Sequence, residues 1–419
     1  MADPLASIEK RLTAAILNRI RSRRSRSPEL STKPPDGSAI PSAPAKIREA
    51  LFSDFEAVWS LKRRWGLIPD SFKNWERLWR DNPALQHCPR RLPIGWVLES
   101  DGRVVGYLGN IASLYRFGGK KLVAVTGHGL VVEPAHRMIS FTLNAAFYRQ
   151  PFVDLYLSTT AIEIVGKIAK AFKAIPLPQR DYEVLFWVLR SQPFARGVVD
   201  KLQLRPGISR LAGGVASLVM GTDKLFRRRW PRRHESSLSV TQIGVEEISD
   251  DFQTLWEAKL HEAPRLLADR SPATLRWHFQ TPDDEGSTGV FCCYSGKQLL
   301  GYVVVRSDPA ATPGLRRSFV ADMVAKNDDP VTLNALCVAA YQHAKQVGSH
   351  ILEVLGFPPS IRAVCSQSNP YVRKYPSCPF YYKAADQSLH QTLTEPSLWY
   401  ASPFDGDTTL MPLLGSANP

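Results

Sequence analysis

The stretch VVEPAHRMISFTLNAAF, residues 131–147, joins a predicted strand to a predicted helix and decides how the fold is interpreted. Two valines end the strand, a proline and an arginine follow, and small and apolar residues form the helix. The start of a helix presents unpaired backbone N–H groups that can bind a phosphate. Glycines usually let a phosphate approach such a start closely, and this stretch has none, so an ordinary strand-to-helix connection is the alternative interpretation.

Length and composition indicate a globular protein of two domains with additional segments. The chain has 419 residues, more than one compact core usually holds. Hydrophobic residues make up 44% and charged residues 22%, which is typical of soluble proteins. Since no apolar run reaches the ~20 residues that cross a bilayer, and the N-terminus does not resemble a secretory signal, we expect a cytoplasmic protein.

The six cysteines are scattered along the chain and form no CxxC pair. This spacing does not support a zinc site, and we expect no metal. Thiols spread over a long chain are typical of the reducing cytoplasm.

The positive charge is concentrated in two segments of a chain whose formal net charge is +14. Residues 1–46 contain nine Lys/Arg and four Asp/Glu, and the run KLFRRRWPRRH, residues 224–234, contains six Lys/Arg and no acid. These segments leave a net charge of only +3 for the rest of the chain. A protein that binds nucleic acid usually lines a groove of its fold with basic residues, so we do not expect nucleic acid as a partner.

Residues 1–46 are interpreted as a basic extension. Apolar residues recur at helical spacing over residues 1–25, between Lys and Arg residues. The following segment is rich in Pro and Ser, which predicts a disordered tether. The extension is either a solvated tail or a helix that lies on a partner or on an anionic membrane surface, at the inner face of the membrane. The apolar positions are Leu5, Ile8, Leu12, Ile16 and Ile20.

From residue 47 the sequence predicts two helices, a β-hairpin and then alternating strands and helices. Asp101–Gly102 lies between apolar strands and indicates the hairpin turn. The strand KLVAVTGHGLVVEP is followed by a helix from about residue 136 to 149, a strand VDLYLSTT, another helix and a closing strand YEVLFWVLR. This order predicts an α/β fold with a mixed sheet, similar to an α+β arrangement.

Three features recur about 200 residues later in the same order. SPATLRWHFQTPD (271–283) matches SFKNWERLWRDNP (71–83), SGKQLLGYVVV (295–305) matches DGRVVGYLGN (101–110), and HILEVLG (350–356) falls where DLYLSTT (154–160) does. Repetition at one offset indicates an internal duplication. We therefore predict two similar domains, residues 47–192 and 240–419, joined by a helical basic linker, residues 193–239.

The element order and the stretch 131–147 together resemble the GCN5-related N-acetyltransferase superfamily in its tandem-domain form. In that family the fourth strand splays from the fifth, and acetyl-CoA binds in the gap with its pyrophosphate on the next helix. The family's motif Arg/Gln-x-x-Gly-x-Gly/Ala corresponds here to RMISFT, residues 137–142, in which the arginine matches and both glycine positions differ. The resemblance implies two acyl-CoA N-acyltransferase-like domains, with acetyl-CoA or another acyl-CoA as co-substrate. It implies that this co-substrate contacts Val131, Val132, Arg137, Ser140 and Thr142.

Other positions depart from the family pattern. Asp328 and Asp329 stand where the pyrophosphate would bind in the second domain and would repel it, so the resemblance implies a degenerate copy without its own CoA. In the first domain the family's usual tyrosine aligns near Ala169 and its usual asparagine with Ile162.

Two residues are candidates for the base that deprotonates an attacking amine. His128, between two glycines, lies on the fourth strand where that strand could bulge, and histidine titrates near neutral pH. Glu133 follows the same strand. The alternatives are a structural histidine on a kinked strand and a solvated carboxylate at a strand end.

Three further residues are candidates for binding the acceptor. Tyr371 belongs to an aromatic cluster of the second domain, and Asp405 and Asp407 flank a glycine in WYASPFDGDTTL, residues 399–410. The two carboxylates could hold a cationic amine or a sugar hydroxyl. A core aromatic cluster and an acidic surface turn are the alternative interpretations.

These observations predict a CoA-dependent N-acyltransferase that acts on an amine of a small molecule or of a surface-polysaccharide precursor. An aminoacyl-tRNA-dependent transferase of the peptidoglycan cross-bridge type is one alternative, favoured by the basic segments. A non-catalytic scaffold or binding protein is the other, favoured by the missing glycines and tyrosine. The expected partners are a small-molecule amine and, through residues 1–25, an anionic membrane surface.

Overall fold

The computed structural model describes residues 45–179, 183–201, 217, 221–223, 227–232, 237–282, 287–308, 315–374 and 380–412. The predicted amphipathic helix of residues 1–25 and its tether lie outside these residues, and so do parts of the basic run 224–234.

The strands, in chain order, are β1 (Lys46–Glu49), β2 (Gly95–Ser100), β3 (Arg103–Phe117), β4 (Lys120–Val132), β5 (Leu155–Ser158), β6 (Ile175–Pro176), β7 (Glu183–Val188), β8 (Ser239–Ile243), β9 (Leu267–Ala268), β10 (Thr288–Ser295), β11 (Gln298–Asp308), β12 (Arg317–Ala325), β13 (Ile351–Leu355), β14 (Tyr371–Lys374) and β15 (Tyr381–Ala384). The α-helices are α1 (Phe55–Arg64), α2 (Phe72–Arg80), α3 (Ser140–Tyr148), α4 (Glu163–Ala171), α5 (Ser191–Lys201), α6 (Asp250–Leu260), α7 (Pro272–Phe279), α8 (Pro330–Gln346), α9 (Pro359–Ser366) and α10 (Gln387–Thr392).

The two sheets have the same strand order. The first runs β1-β2-β3-β4-β5-β15-β6, with β9 paired to β3, and the second runs β8-β10-β11-β12-β13-β7-β14. Each sheet contains one parallel pair at the same place, β4 with β5 and β12 with β13, among antiparallel neighbours. The predicted α/β fold with mixed sheets is confirmed, and its strand order repeats between the two halves of the chain.

The two halves exchange one strand. β15 comes from the second half but lies in the first sheet, between β5 and β6. β7 comes from the first half but lies in the second sheet, between β13 and β14. The prediction that YEVLFWVLR closes the first sheet is therefore wrong, because a strand that is largely buried on both faces carries no pattern that identifies its neighbours. The boundaries 47–192 and 240–419 remain predictions, since no single cut separates the sheets.

The repeated helical segments form equivalent helices that contact each other. α2 begins after Ser71, whose hydroxyl caps a helix amide, and α7 begins at Pro272 after Ser271. Arg77 of α2 and Trp277 of α7 occupy matching positions, and each donates a side-chain hydrogen bond to the other's carbonyl oxygen. Reciprocal bonds between equivalent residues are typical of a two-fold relation between two halves.

One hydrophobic core runs through both halves. Tyr115, Leu122 and Ala124 of the first sheet pack in the same buried cluster as the strands and helices of the second half. Val125, the next residue along β4, packs on the opposite face of that sheet with Leu143 of α3. The first sheet therefore uses one face for its own helices α3 and α4 and the other face for the second half of the chain.

The strand exchange can be tested by cross-linking. Glu183 of β7 and Lys374 of β14 are cross-strand partners whose side chains form an ion pair at 3.3 Å. Cysteines at both positions should form a disulfide under mild oxidation, because the Cβ atoms of such partners lie ~4.5–5.5 Å apart. The control combines Glu183→Cys with Ser158→Cys. Ser158 lies in β5, and β7 would pair with β5 if it closed the first sheet. Peptide mapping that located the bridge at residue 158 would contradict the exchange.

Candidate active site

Strands β4 and β5 separate at one end of the first sheet. Their parallel pairing covers three residues of each strand and stops at Thr126↔Leu157. Pairing of β4 with β3 continues to Val132. Residues 127–132 therefore pair on one side only and border a gap between β4 and β5, as the family resemblance implies.

A β-bulge directly after His128 lies at this gap. Gly109 pairs with His128 and Tyr107 pairs with Val131, so β4 has one residue more than β3 between these two pairs. Gly129 has a φ of 62°, in the left-handed region that glycine adopts without steric cost. The predicted bulge of the strand at His128 is confirmed.

His128 lies in a buried ionic network. Its Nε2 is 3.5 Å from an Oδ2 atom of Asp70, and its Nδ1 is 3.3 Å from Oδ2 of Asp407. Lys62 of α1 donates to the same Asp70 oxygen at 2.9 Å, and Asn74 of α2 donates to the other Asp70 oxygen. The charged side chains of the network are at most 3% exposed, so each charge is stabilised by its partners rather than by water.

Asp407 connects the two sides of the gap. Its carboxylate accepts hydrogen bonds from Thr159 at 2.8 Å and from Thr160 at 3.2 Å, and both threonines directly follow β5. Because His128 belongs to β4, Asp407 bridges β4 and the end of β5. The structure thus brings together two predicted site residues that are 279 positions apart. The interpretation of Asp405 and Asp407 as an acidic surface turn is wrong, because they are 2% and 1% exposed.

The network sets the ionisation of its members. Burial would raise the pKa of Asp70, but Lys62 and His128 outweigh burial and hold that pKa well below its usual range. Burial and Lys62 would lower the pKa of His128, but the bonds to Asp407 and Asp70 outweigh them and raise it. His128 therefore keeps its proton to a higher pH than an ordinary histidine does, between the carboxylates of Asp70 and Asp407.

The start of α3 holds the predicted phosphate-binding residues. A 3₁₀ turn, Pro134–Ile139, leads into α3, and no side chain caps the amides of the helix. Ser140 is the first residue of α3, and its hydroxyl donates to the Arg137 carbonyl at 2.6 Å. Arg137 is exposed on this turn, and Thr142 is exposed in the first turn of α3. The start of α3 can therefore present its backbone N–H groups to an anion.

The remaining candidates of the first half lie at the end of β4. Val131 packs in the buried cluster under α1, and Val132 packs against the cluster under α3. Glu133 forms ion pairs with Arg64 at 3.2 Å and Arg103 at 3.5 Å. These arginines, rather than solvent or the network around His128, hold the Glu133 carboxylate.

The equivalent gap in the second sheet is filled by the chain itself. The pairing of β12 with β13 stops at Phe319, which leaves the following residues of β12 without a strand on that side. There the Tyr400 hydroxyl donates to the carbonyl of Met323 at 3.1 Å, and Lys259 donates to the carbonyl of Ala325 at 2.8 Å. These two side chains occupy backbone acceptors that a ligand would otherwise use.

The helix that follows this second gap is also closed to an anion. Asp329 accepts a hydrogen bond from the Thr332 amide at 2.8 Å and caps α8. Asp328 accepts from Lys259 and Arg265. Asp329 therefore bonds a free amide at the start of α8, and Asp328 pairs with the nearby cations. For this reason the start of α8 offers no open site for a phosphate.

Asp405 and Tyr371 do not join the network around His128. Asp405 accepts from the Tyr115 hydroxyl at 2.7 Å and lies 3.7 Å from Arg270. Tyr371, on the edge strand β14, donates to Asp223 at 2.6 Å and stacks under the Arg229 guanidinium. Tyr371 thus anchors part of the basic linker to the second sheet.

Lys62, Asp70 and Thr159 are not among the site residues that the sequence predicts. Lys62 stands beside two arginines in a helix, and Asp70 stands before a helix-capping serine, so each has an ordinary local explanation. Lys62 and Asp70 differ from ordinary charged residues because their charges are buried. Tertiary packing decides which residues are buried.

Two kinds of feature are not found within the described ranges. They contain no group of three or more His, Cys, Asp or Glu residues that could hold a metal ion. None of their helices is long and apolar enough to cross a membrane.

No protein-family model and no curated protein matches the chain, but solved structures share its fold. A GCN5-related N-acetyltransferase from Anabaena variabilis ATCC 29413 superposes with a TM-score of 0.52 at 10% identity, covering 82% of this chain and 73% of that one. A probable N-acyltransferase from Enterococcus faecalis V583 gives 0.51 at 10% identity, with 82% and 73% coverage. N-myristoyltransferase from Saccharomyces cerevisiae, with bound myristoyl-CoA, gives 0.51 at 12% identity, with 84% and 81% coverage.

The bulge can be tested with a pair of glycine variants. An alanine Cβ at position 129 would lie 2.8 Å from Cε of Lys62, whereas one at Gly102, which has a φ of 71°, would meet nothing within 4 Å. Gly102→Ala should lower the free energy of unfolding by about 1–2 kcal/mol through backbone strain alone. Gly129→Ala should cost more, because it also displaces Lys62 from Asp70. Equal losses in chemical denaturation would show that Lys62 does not constrain the bulge.

Proposed function

We propose that this chain, which has the fold of the GCN5-related N-acetyltransferases, is an acyl-CoA-dependent N-acyltransferase whose active site is the gap between β4 and β5. One observation carries the proposal. Three features lie at the same end of the first sheet: the gap, the uncapped start of α3, and the pair of His128 and Asp407. In the second half, the chain's own side chains occupy the equivalent gap and helix start.

The first half fits an acyl-CoA. The unpaired side of residues 127–132 offers backbone groups to the amides of the pantetheine arm, next to Val131 and Val132. The helix start at Ser140 and Thr142, together with the exposed Arg137, offers N–H groups and a positive charge to the pyrophosphate. Acetyl-CoA or another acyl-CoA would use the same contacts.

The reaction would transfer the acyl group from sulfur to an amine. A C–N bond forms, the thioester C–S bond breaks, the amine loses a proton and the CoA thiolate gains one. The pair of His128 and Asp407 lies at the gap and can accept the proton from the amine, because Asp407 stabilises the protonated imidazole. Lys62 and Asp70 hold the other ring nitrogen in place.

The proton for the departing thiolate needs a donor, and α4 lacks the tyrosine that the family usually has there. Ala169 is buried and Ile162 is exposed, so neither replaces the family's usual polar residues. The exchanged strand β15 brings Tyr381 to α4, where its hydroxyl lies 2.7 Å from the position that a Cβ at Gly166 would occupy. We assign the donor role to this phenol as part of the proposal.

A non-catalytic acyl-CoA-binding protein is the second candidate function. It is favoured by the burial of the network and by the fact that carboxylates face both ring nitrogens of His128. A tRNA-dependent transferase has less support in the described residues, because Arg229 of the basic run is buried against Asp223 and Tyr371.

Binding can be tested by reversing the charge at the start of α3. Arg137→Glu should weaken the binding of acetyl-CoA more than tenfold in calorimetry, because a charge-assisted hydrogen bond contributes ~1.5–3 kcal/mol. Lys326→Glu makes the same change on the turn before α8 in the second half and should leave the affinity unchanged. Equal affinity of both variants and the parent chain would remove the α3 start from the site.

Catalysis can be tested through its pH dependence, with release of the CoA thiol in the presence of an amine as the readout. The base must be deprotonated, so the rate should rise with pH through a pKa above the ordinary histidine value of ~6.5. Asp407→Asn removes a bond that raises the pKa of His128, so the rise should move to lower pH while the maximum rate falls. Glu133→Gln should leave the profile in place, and a shift with this variant instead would identify Glu133 as the base. Binding without thiol release at any pH would favour the non-catalytic function.

A further inference from the structure

Two neighbouring cavities lie between the halves of the chain. The inner cavity, of about 30 Å³, is lined by residues of β3, β4, α7 and the segment after α10. The outer cavity, of about 250 Å³, opens on the surface between β3, β4 and α6. Leu114 and Asp269 line both, so the two cavities are neighbours, one towards the surface and one in the interior.

The inner cavity ends at the point where β4 and β5 separate. Thr126, which lines it, is the last residue of β4 that pairs with β5, and His128 is the next residue of β4 on the same face. The inner cavity therefore lies next to the residues that border the gap, on the face of the sheet that packs on the second half. A molecule in it would approach the proposed acyl site from the side opposite to α3.

Two hydroxyl groups in the inner cavity have no hydrogen-bond partner. Thr126 is 1% exposed, and its Oγ1 and the Oγ of Ser113 are both buried and unpaired. The strand register places them on one face, since Thr126 opposes Ile111 and Ser113 opposes Ala124. A buried hydroxyl without a partner costs ~1–3 kcal/mol, so this cavity is built for a small group that forms hydrogen bonds.

The rest of the inner wall selects the form of that group. Trp277, His278 and Phe404 supply ring surfaces. Burial, together with Arg77, Arg306 and Arg270, holds the pKa of His278 well below its usual range. The same cations would lower the pKa of an amine placed beside His278 and so favour its neutral, nucleophilic form.

The size of the inner cavity limits what can enter. About 30 Å³ holds roughly two water-sized groups, which is enough for an amino group on an unbranched carbon but not for a sugar ring. The larger part of an acceptor must therefore stay in the outer cavity.

The outer cavity offers two cations to that larger part. Arg116 and Lys121 oppose each other on β3 and β4, an arrangement of like charges that is unfavourable without an anion. Within the described ranges neither forms an ion pair. Glu257 and Asp269 on the same wall are engaged with Gln253, Ser271 and Thr274.

We infer that the acceptor is an unbranched primary alkylamine whose far end carries a carboxylate or phosphate group. Its amino group lies against Thr126 and Ser113, and its anionic end lies between Arg116 and Lys121. This inference rests on the proposed function, because the amine would take the acyl group through the transfer described above.

The test measures binding and turnover separately on the full chain. Calorimetry without acyl-CoA compares 6-aminohexanoate and 6-aminohexyl phosphate with hexylamine and glucosamine, and the two anionic amines distinguish carboxylate from phosphate. We expect at least one of them to bind about tenfold more tightly than hexylamine, and glucosamine not to bind. Lys121→Ala should remove the advantage over hexylamine, while Lys120→Ala, on the same strand but outside the cavity, should keep it. Thiol release with acetyl-CoA should follow the same order.

A pair of threonine variants tests the inner cavity. Thr126→Val keeps the shape and removes the hydroxyl, and it should weaken binding of the anionic amine about fivefold. Thr288→Val removes another buried, unpaired hydroxyl outside both cavities and should have no effect.

Glucosamine binding as tightly as the linear amines, or unchanged binding by Thr126→Val, would overturn the inference. Tight binding of the linear amines without thiol release would contradict the proposed function alone, whereas thiol release with glucosamine only would contradict the inference alone.

Discussion

Backbone pairing of the two exchanged strands, β7 and β15, is the constraint on which the rest of the structure depends. Without β15 the strand β5 would have an unpaired edge, and without β7 the strand β13 would have one. β5 also borders the gap of the candidate site. The second half of the chain therefore supplies the strand that pairs with β5 at the candidate site of the first half.

The two halves show how one scaffold can give an open and a closed version of the same site. Splayed strands leave backbone groups that need partners. In the second half Tyr400 and Lys259 supply those partners, and Asp329 caps the next helix. In the first half the helix start has no side-chain cap. The segment after α10 serves both halves, since Tyr400 fills one gap and Asp407 reaches the other.

The ionic network at the open gap is costly unless it is complete. Lys62 and His128 face Asp70 and Asp407 with almost no solvent, and removing one partner from such a pair typically costs 3–5 kcal/mol because a buried charge is left uncompensated. A complete network fixes the imidazole ring at the bulge, between the carboxylates of Asp70 and Asp407. In the proposed function, stability and proton transfer would therefore depend on the same contacts.

Local patterns in the sequence determined much of this protein. The Asp101–Gly102 turn, with both residues at positive φ, the bulge at His128, the helix after residue 139 and the acids before α8 follow from residues close together in the chain. The offset repeat predicted a strand order that both sheets share. Only the tertiary structure decided that β7 and β15 change sheets and that Asp407 meets His128. These contacts join segments far apart in the chain, and a buried strand or a lone aspartate carries no local pattern that specifies its distant partner.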